Sequence, residues 1–389
     1  MERPSQSLFQ SYDSFRSPAF SGRAISPELF QSILDNSIHD SGGLLRDELV
    51  GKSYENRPIR LLTAGSGPNS VLLWSQMHGD ESTATMAIVD ILQFLIRTKS
   101  EESTRRMLSS VTLQFLPILN PDGASRFQRR TAQNIDMNRD ALALRTPEAK
   151  LLADLQMRLK PRFGFNLHDQ ELSTAGSSKE LTALAFLAPA YNVEKSSNDV
   201  RSRAKKLAAF LAVTLDSHAA GRLARYDDAF EPRAFGDNMQ KWGTSTVLIE
   251  SGHAMNDPDK NSIRKLNAVG LISAFESIAG GTYLQADESA YDRLPFNGKL
   301  AYDVIIRNIL IDEGGGRTTE ADLGISYQVD THSELPPRLV DLGDLSTYTA
   351  LRDIDGGKKR LSRKLLRLNQ PFNWEPYFPN ALPPVFLKE

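Results

Sequence analysis

The chain contains no cysteine, which excludes disulfide staples and thiolate metal ligands and leaves His, Asp and Glu to hold any ion. The absence suits a reducing compartment. Long apolar runs are missing too: no window approaches the roughly 20 consecutive apolar residues of a membrane span. The start, Met1 to Ser7, lacks a basic segment followed by an apolar stretch, so it does not read as a signal peptide. A cytoplasmic location is the expectation, with a removed leader as the alternative. Nor is there an excess of positive charge. With 46 Lys and Arg against 48 Asp and Glu, a formal net charge of -2, the chain has little with which to neutralise phosphates, and neither nucleic acid nor a membrane surface is expected as a partner. No internal repeat appears at solenoid or propeller periods. What is present is ordinary globular material, 389 residues with 40% hydrophobic, enough for one large core or two to three smaller ones.

Residues 1–25, rich in Ser, Phe and Pro without periodicity, read as an irregular N-terminal arm. Ser26-Pro27-Glu28 has the form of an N-cap with proline at the first helical position, leading a helix to about Asn36. Strand-like runs follow at Asp47 to Lys52 and Pro58 to Ala64. Strands are then expected at Val71 to Gln76, Val111 to Ile118, Phe163 to Leu167, Ala183 to Ala188 and Thr246 to Glu250. Helices are expected at Ser82 to Thr98, Pro147 to Leu159, near Val193 to His218, and at Asp259 to Ile278. Continuous apolar strands alternating with helices imply an α/β fold, a mainly parallel mixed sheet covered by helices on both faces. Such sheets bind ligands beyond the carboxyl ends of their strands. A composition change at Gly280-Gly281 divides a larger α/β domain, 26–280, from a small β-rich C-terminal appendage, 281–389, with strands expected at Ala301 to Ile311, Gly324 to Val329 and Pro337 to Leu342.

His78-Gly-Asp-Glu81 follows one apolar strand and His168 ends another. If a helix starts at this motif, His78 and Glu81 occupy neighbouring positions on one face. Two imidazoles and a carboxylate make an open zinc set, because structural sites are usually closed by four protein ligands. A helix-initiating loop and a core histidine with a backbone partner are the ordinary alternatives. His39, His218, His253 and His332 lack a comparable strand-end placement and read as surface or structural residues. Glu250 ends the buried run Val247-Leu248-Ile249, where an unpaired carboxylate is costly. It suits a general base beside activated water, or else a structural salt bridge. Asn120 to Asp140 is a long polar insertion carrying Arg126, Arg129, Arg130 and Arg139. Arginine reads carboxylates bidentately and can stabilise an oxyanion, although at least one of the four is expected to be no more than solvated surface.

The order His-x-x-Glu, Asn-Pro-Asp-Gly, an arginine, Asp-x-Asn-Arg, a strand-end His and a strand-end Glu resembles the zinc carboxypeptidases of the carboxypeptidase A type, also called funnelins, from about Val71 to Gly252. The resemblance implies one zinc ion per chain, held by His78, Glu81 and His168, with Glu250 as the catalytic glutamate. It places the oxyanion-stabilising arginine at Arg129, with Arg130 as the alternative, and the grip on the substrate's terminal carboxylate at Asn138 and Arg139. Asp136 matches the carboxylate that orients the first zinc histidine. Two features depart from the pattern. Asp80 stands where relatives often carry a basic residue, and the mobile tyrosine has only Tyr226 as a loose counterpart. Asp227, Asp228, Arg233 and Asp237 are polar neighbours without assigned roles.

The expectation is a zinc-dependent metallocarboxypeptidase that hydrolyses an amide bond adjacent to a free carboxylate, acting on a peptide or peptide-like substrate. A cell-wall peptide amidase or an N-acyl amino acid deacylase on the same scaffold is the nearest alternative, and a catalytically silent binding protein is the alternative of another class. Oligomeric state is not legible from the sequence.

Overall fold

The computed structural model describes residues 4–327, 329–330, 333–334 and 336–379. The chain opens with helix α1 (Pro4–Ser11) and then α2 (Pro27–Ser41). Ser26 caps α2 through its hydroxyl, which accepts from Leu29 N, and Pro27 opens the first turn. The strands β1 (Leu45–Lys52), β2 (Pro58–Gly65) and β3 (Asn69–Trp74) lead into α3 (Thr83–Thr98) and α4 (Glu102–Ser110). There follow β4 (Val111–Leu116), the short α5 (Pro121–Ala124), α6 (Pro147–Leu159), β5 (Phe163–Asp169), β6 (Thr174–Ala175) and β7 (Leu184–Leu187). The body is completed by α7 (Asp199–Leu215), β8 (Leu223–Arg225), α8 (Phe235–Lys241), β9 (Ser245–Ser251) and α9 (Asn261–Gly280).

Eight strands form one mixed sheet in the order β1-β2-β4-β3-β5-β9-β7-β8. The four strands β4, β3, β5 and β9 are mutually parallel, flanked by antiparallel neighbours. Strand alternation sorts the core into two layers: Val71 and Leu73 face the helices α1, α2, α3, α4, α7 and α9, while Leu72 and Trp74 face α6 and α8. The expected α/β architecture with helices on both faces is therefore present. Strand β3 has β4 on one side and β5 on the other. Connections leaving its carboxyl end thus pass a reversal of strand order, the place where such sheets open a crevice.

Three expectations are corrected. The N-terminal arm is helical at its start, over Pro4–Ser11, and irregular from residue 15 onward, and Leu8, Tyr12 and Phe15 are buried in the main core. Asp90 on α3 reaches back to it, accepting from Tyr12 Oη at 2.6 Å and Ser17 N at 2.8 Å, while Arg264 Nε donates to the same carboxylate at 2.7 Å. Such pairing at long sequence separation leaves no local periodicity. Secondly, α4 was not expected; it buries only Thr104, Met107 and Leu108, too few for a clear apolar stripe. Thirdly, residues just beyond Gly281 stay with the first body: Tyr283 and Tyr291 are buried in its core.

A second sheet begins at Ala301. Its strands Ala301–Gly314, Arg317–Ser326, Arg338–Gly343 and Thr349–Asp355 enclose a small core of Val304, Ile306, Leu323, Ile325 and Trp374. The second strand lies earlier than the expected Gly324 to Val329, its hairpin turn falling at Gly314, Gly315 and Gly316, all with positive φ. His332 lies outside the described residues.

Candidate metal centre and carboxylate-binding site

The residues that end β3, β5 and β9 meet at one edge of the sheet. His168 and Glu250 are register partners on the adjacent parallel strands β5 and β9, so their side chains project to the same face. His78 and Glu81 come from the loop between β3 and α3, not from the helix itself, which starts at Thr83. A turn closed by Glu81 N donating to His78 O, 3.2 Å, brings the two side chains together. Gly79 allows that turn to press on α5. A Cβ there would lie 2.0 Å from Gly123 C and 2.2 Å from Ala124 N. Asn120 fastens the same junction, its carbonyl oxygen accepting from Gly123 N at 2.9 Å and its amide donating to Met77 O at 3.2 Å.

The Glu81 carboxylate is the hub. Its Oε1 lies 2.7 Å from His78 Nδ1 and its Oε2 lies 2.7 Å from His168 Nδ1, and Asp169 N donates to Oε2 at 3.2 Å. Burial opposes the charge on Glu81, but the two histidines outweigh it and hold the carboxyl well below its ordinary range. Behind His78, Asp136 Oδ1 lies 3.1 Å from Nε2. Burial lowers the His78 pKa, yet Glu81 and Asp136 overcome it and push the imidazole up to about 9. Among the described residues His168 has no such second carboxylate, and burial lowers its pKa.

The donors fit zinc. Among the described residues, His78, Glu81 and His168 form a buried group of potential metal ligands, with one ligand atom from each lying within 4.8 Å of the others. With the Nε2 proton held by Asp136, Nδ1 is the nitrogen that would give up its proton to a cation and ligate it. A guanidinium already stands against this trio, since Arg129 Nη1 is 3.1 Å from both His78 Nδ1 and Glu81 Oε1.

Arg129 also donates to Asp136 Oδ2 from Nε at 3.3 Å and Nη2 at 3.1 Å. Arg130 turns outward to Asn134 O, and Arg126 is engaged with Glu55. Of the two arginines weighed for the oxyanion, only Arg129 touches the site. Glu250 is buried, and desolvation, reinforced by the Glu81 charge, raises its pKa to about 8. Asp80 is similarly raised to about 6 by burial and then by Glu81, and its buried Oδ1 has no partner among the described residues.

Asn138 is joined to the metal site through Asp136, whose Oδ1 also accepts from Asn138 N at 2.9 Å. The Asn138 side-chain oxygen accepts from Phe235 N at 2.9 Å, so its amide nitrogen is what it can offer a ligand. Arg139, partly exposed, points Nε at Glu231 Oε2, 3.3 Å away. Sequence reasoning missed Glu231, which stands 92 positions from its partner. It also missed Lys260, a buried ammonium that donates to Asp169 Oδ2 at 3.1 Å and Ser251 O at 3.2 Å, behind His168 and Glu250. Neither lies in a motif. Of the unassigned polar residues, Asp228 pairs with Lys195 and Arg201, Asp227 accepts from Ala229 N, and buried Asp237 accepts from Glu231 N. Tyr226 is half-exposed, and burial of its ring together with the nearby Glu250 charge raises its pKa.

Residues 32–223 match the zinc carboxypeptidase family model. Carboxypeptidase 2 of Trichophyton rubrum is 30% identical over 128 residues, which cover 30% of this chain and 23% of that protein. The chain thus spans about a quarter of the length of the curated relatives it matches. A metallo-carboxypeptidase from Burkholderia cenocepacia has the same fold, with a TM-score of 0.52 at 19% identity, covering 66% of this chain and 69% of its own. A metallo-carboxypeptidase from Pseudomonas aeruginosa, solved with (2-guanidinoethylmercapto)succinic acid, gives a TM-score of 0.53 at 17% identity over 66% and 69% of the two chains.

Proposed function

We propose that this chain, which carries a zinc carboxypeptidase domain, is a metallocarboxypeptidase that hydrolyses the amide bond next to a free carboxylate. The observation that carries the reading is the convergence of His78, Glu81 and His168, backed by Asp136, with Glu250 beside His168 on the next strand. Zinc held by these three residues supplies Lewis acidity, which polarises a carbonyl and acidifies water.

The remaining chemistry belongs to the chain. Glu250 accepts a proton from the attacking water on a carboxylate oxygen and returns it to the leaving nitrogen. Its burial raises its proton affinity, which suits a group that must both take and give a proton near neutrality. Arg129 offers guanidinium N–H groups to the oxyanion as the carbonyl becomes tetrahedral. The Asn138 amide and the Arg139 fork hold the terminal carboxylate, so that one particular bond is presented to the reacting groups. Asp136 ties the two halves together, touching His78, Arg129 and Asn138 at once.

Glu250→Gln tests the role of the base. The variant is expected to lose at least about a hundredfold in kcat, the usual contribution of a positioned acid–base, while binding zinc like the parent; retained turnover refutes the assignment. Profiling against C-terminal peptides, murein peptides and N-acyl amino acids separates the substrate classes, with peptides carrying a free C-terminus expected to be cleaved best.

A further inference from the structure

We infer that Glu231 is an internal surrogate for the substrate's terminal carboxylate, resting on Arg139 until a substrate or product carboxylate displaces it. The inference rests on the carboxypeptidase reading of Asn138 and Arg139. A carboxylate already lies against the Arg139 fork, Oε2 being 3.3 Å from Nε, and both side chains are open to solvent, at 40% and 28% exposure. An incoming carboxylate can therefore reach the pair, and it competes there with a carboxylate that Arg139 shares with Arg233.

Glu231 is held there by its own segment. Its backbone N–H donates to Asp237 at 3.1 Å, Arg233 O accepts from Ala141 N at 3.1 Å, and Phe235 N donates to Asn138 at 2.9 Å. These links fasten residues 231–235 along 138–141. Glu231 also keeps a partner when it leaves Arg139. Arg233 grips it with Nε at 2.9 Å to Oε1, Nη2 at 2.8 Å to Oε2, and its backbone N–H at 3.1 Å to Oε1. Leaving Arg139 does not strand the charge, so displacement exchanges one ion pair for another and costs little. An exposed pair of this kind corresponds to an affinity factor of about 2–5. The same factor would loosen the grip on the released amino acid and so favour product departure.

The test uses the zinc-loaded full chain, an N-acyl dipeptide with a free C-terminus, and the amino acid released from it as a competitive inhibitor. In Glu231→Gln, KM and the product inhibition constant are both expected to fall about 2–5-fold. In Arg233→Ala, Glu231 is left to Arg139 alone and both constants are expected to rise. Opposite signs separate a competing carboxylate from simple damage to the loop, which moves both variants the same way. Unchanged constants in Glu231→Gln, or a rise in both variants, overturn the inference while leaving the carboxypeptidase reading intact. Arg139→Gln is the control for that reading: it should raise KM more than tenfold, as loss of a charge-assisted hydrogen bond implies, and if it changes neither constant the reading of Arg139 fails and the inference with it.

Discussion

Replacing Asp136 by alanine should weaken zinc binding without unfolding the protein. Asp136 Oδ1 accepts from His78 Nε2 at 3.1 Å, and through this contact it keeps the imidazole proton away from Nδ1, the atom that faces Glu81. Without it, the tautomer with a proton on Nδ1 becomes accessible and the ring loses a restraint on its orientation. Loss of a carboxylate behind a metal histidine typically costs 10–100-fold in metal affinity, about 1.4–2.7 kcal/mol. The variant also breaks the pair with Arg129, whose side chain is 42% exposed, and an exposed pair adds at most about 1 kcal/mol. The larger effect is therefore expected to travel through His78. Competition with a chromophoric chelator gives the zinc dissociation constant, and circular dichroism checks the fold. Asp136→Asn keeps one acceptor oxygen and should fall between parent and Asp136→Ala. Arg130→Ala, altering an outward-facing neighbour, should bind zinc like the parent. A dissociation constant for Asp136→Ala within twofold of the parent would refute the argument that this carboxylate sets the His78 donor.

Three further outcomes follow from separate parts of the molecule. Gly79→Ala places a methyl 2.0 Å from the Gly123 backbone, forcing the His78–Glu81 turn to shift at a cost of about 1–3 kcal/mol; zinc affinity should fall, and parent-like affinity would contradict the close packing. Arg264→Met leaves Asp90 buried with only Tyr12 and Ser17 as partners, and should cost about 3–5 kcal/mol in denaturant unfolding, since an orphaned buried charge remains; a loss under about 1 kcal/mol would show that the arm is not held this way. Asp303, half-buried in the second sheet, has its pKa raised by desolvation from 3.8 to about 6. The native state therefore keeps a proton that the unfolded chain has released between about pH 4 and pH 6, so stability declines as pH rises through that window, and the penalty is complete above it. Asp303→Asn should match the parent near pH 4 and exceed it by about 1–3 kcal/mol at pH 7.5; a stability difference that does not change with pH would count against this account.

How much of this was legible in the sequence depends on the range of the interaction. Strands such as β3 and β5, and helix α6, were readable because apolar periodicity, Pro147 at a helix start and a buried run each act within a dozen residues. The centre was readable for a related reason: strand ends carry His168 and Glu250, and parallel pairing of those strands is enough to set them side by side. Contacts made across the chain left no trace. Tyr12 finds Asp90 on another helix, Arg139 finds Glu231 in a distant loop, and Lys260 reaches Asp169 from the start of α9. Asp122 shows the converse. In the sequence it belonged to a polar insertion that looked functional, but it is fully buried and accepts from Ser53 Oγ at 2.7 Å and Glu55 N at 2.9 Å, a structural tie beneath the site. Whether a polar residue faces a ligand or a backbone is decided by tertiary packing.

The central claim, zinc-dependent hydrolysis next to a free carboxylate, is tested most directly by one comparison. The metal-stripped chain is reloaded with one equivalent of zinc and offered a peptide with a free C-terminus beside the same peptide with a C-terminal amide. Release of the last residue from the free peptide alone, lost again on chelation, is the predicted result. Stoichiometric zinc binding with no release from either peptide, or equal release from both, contradicts it.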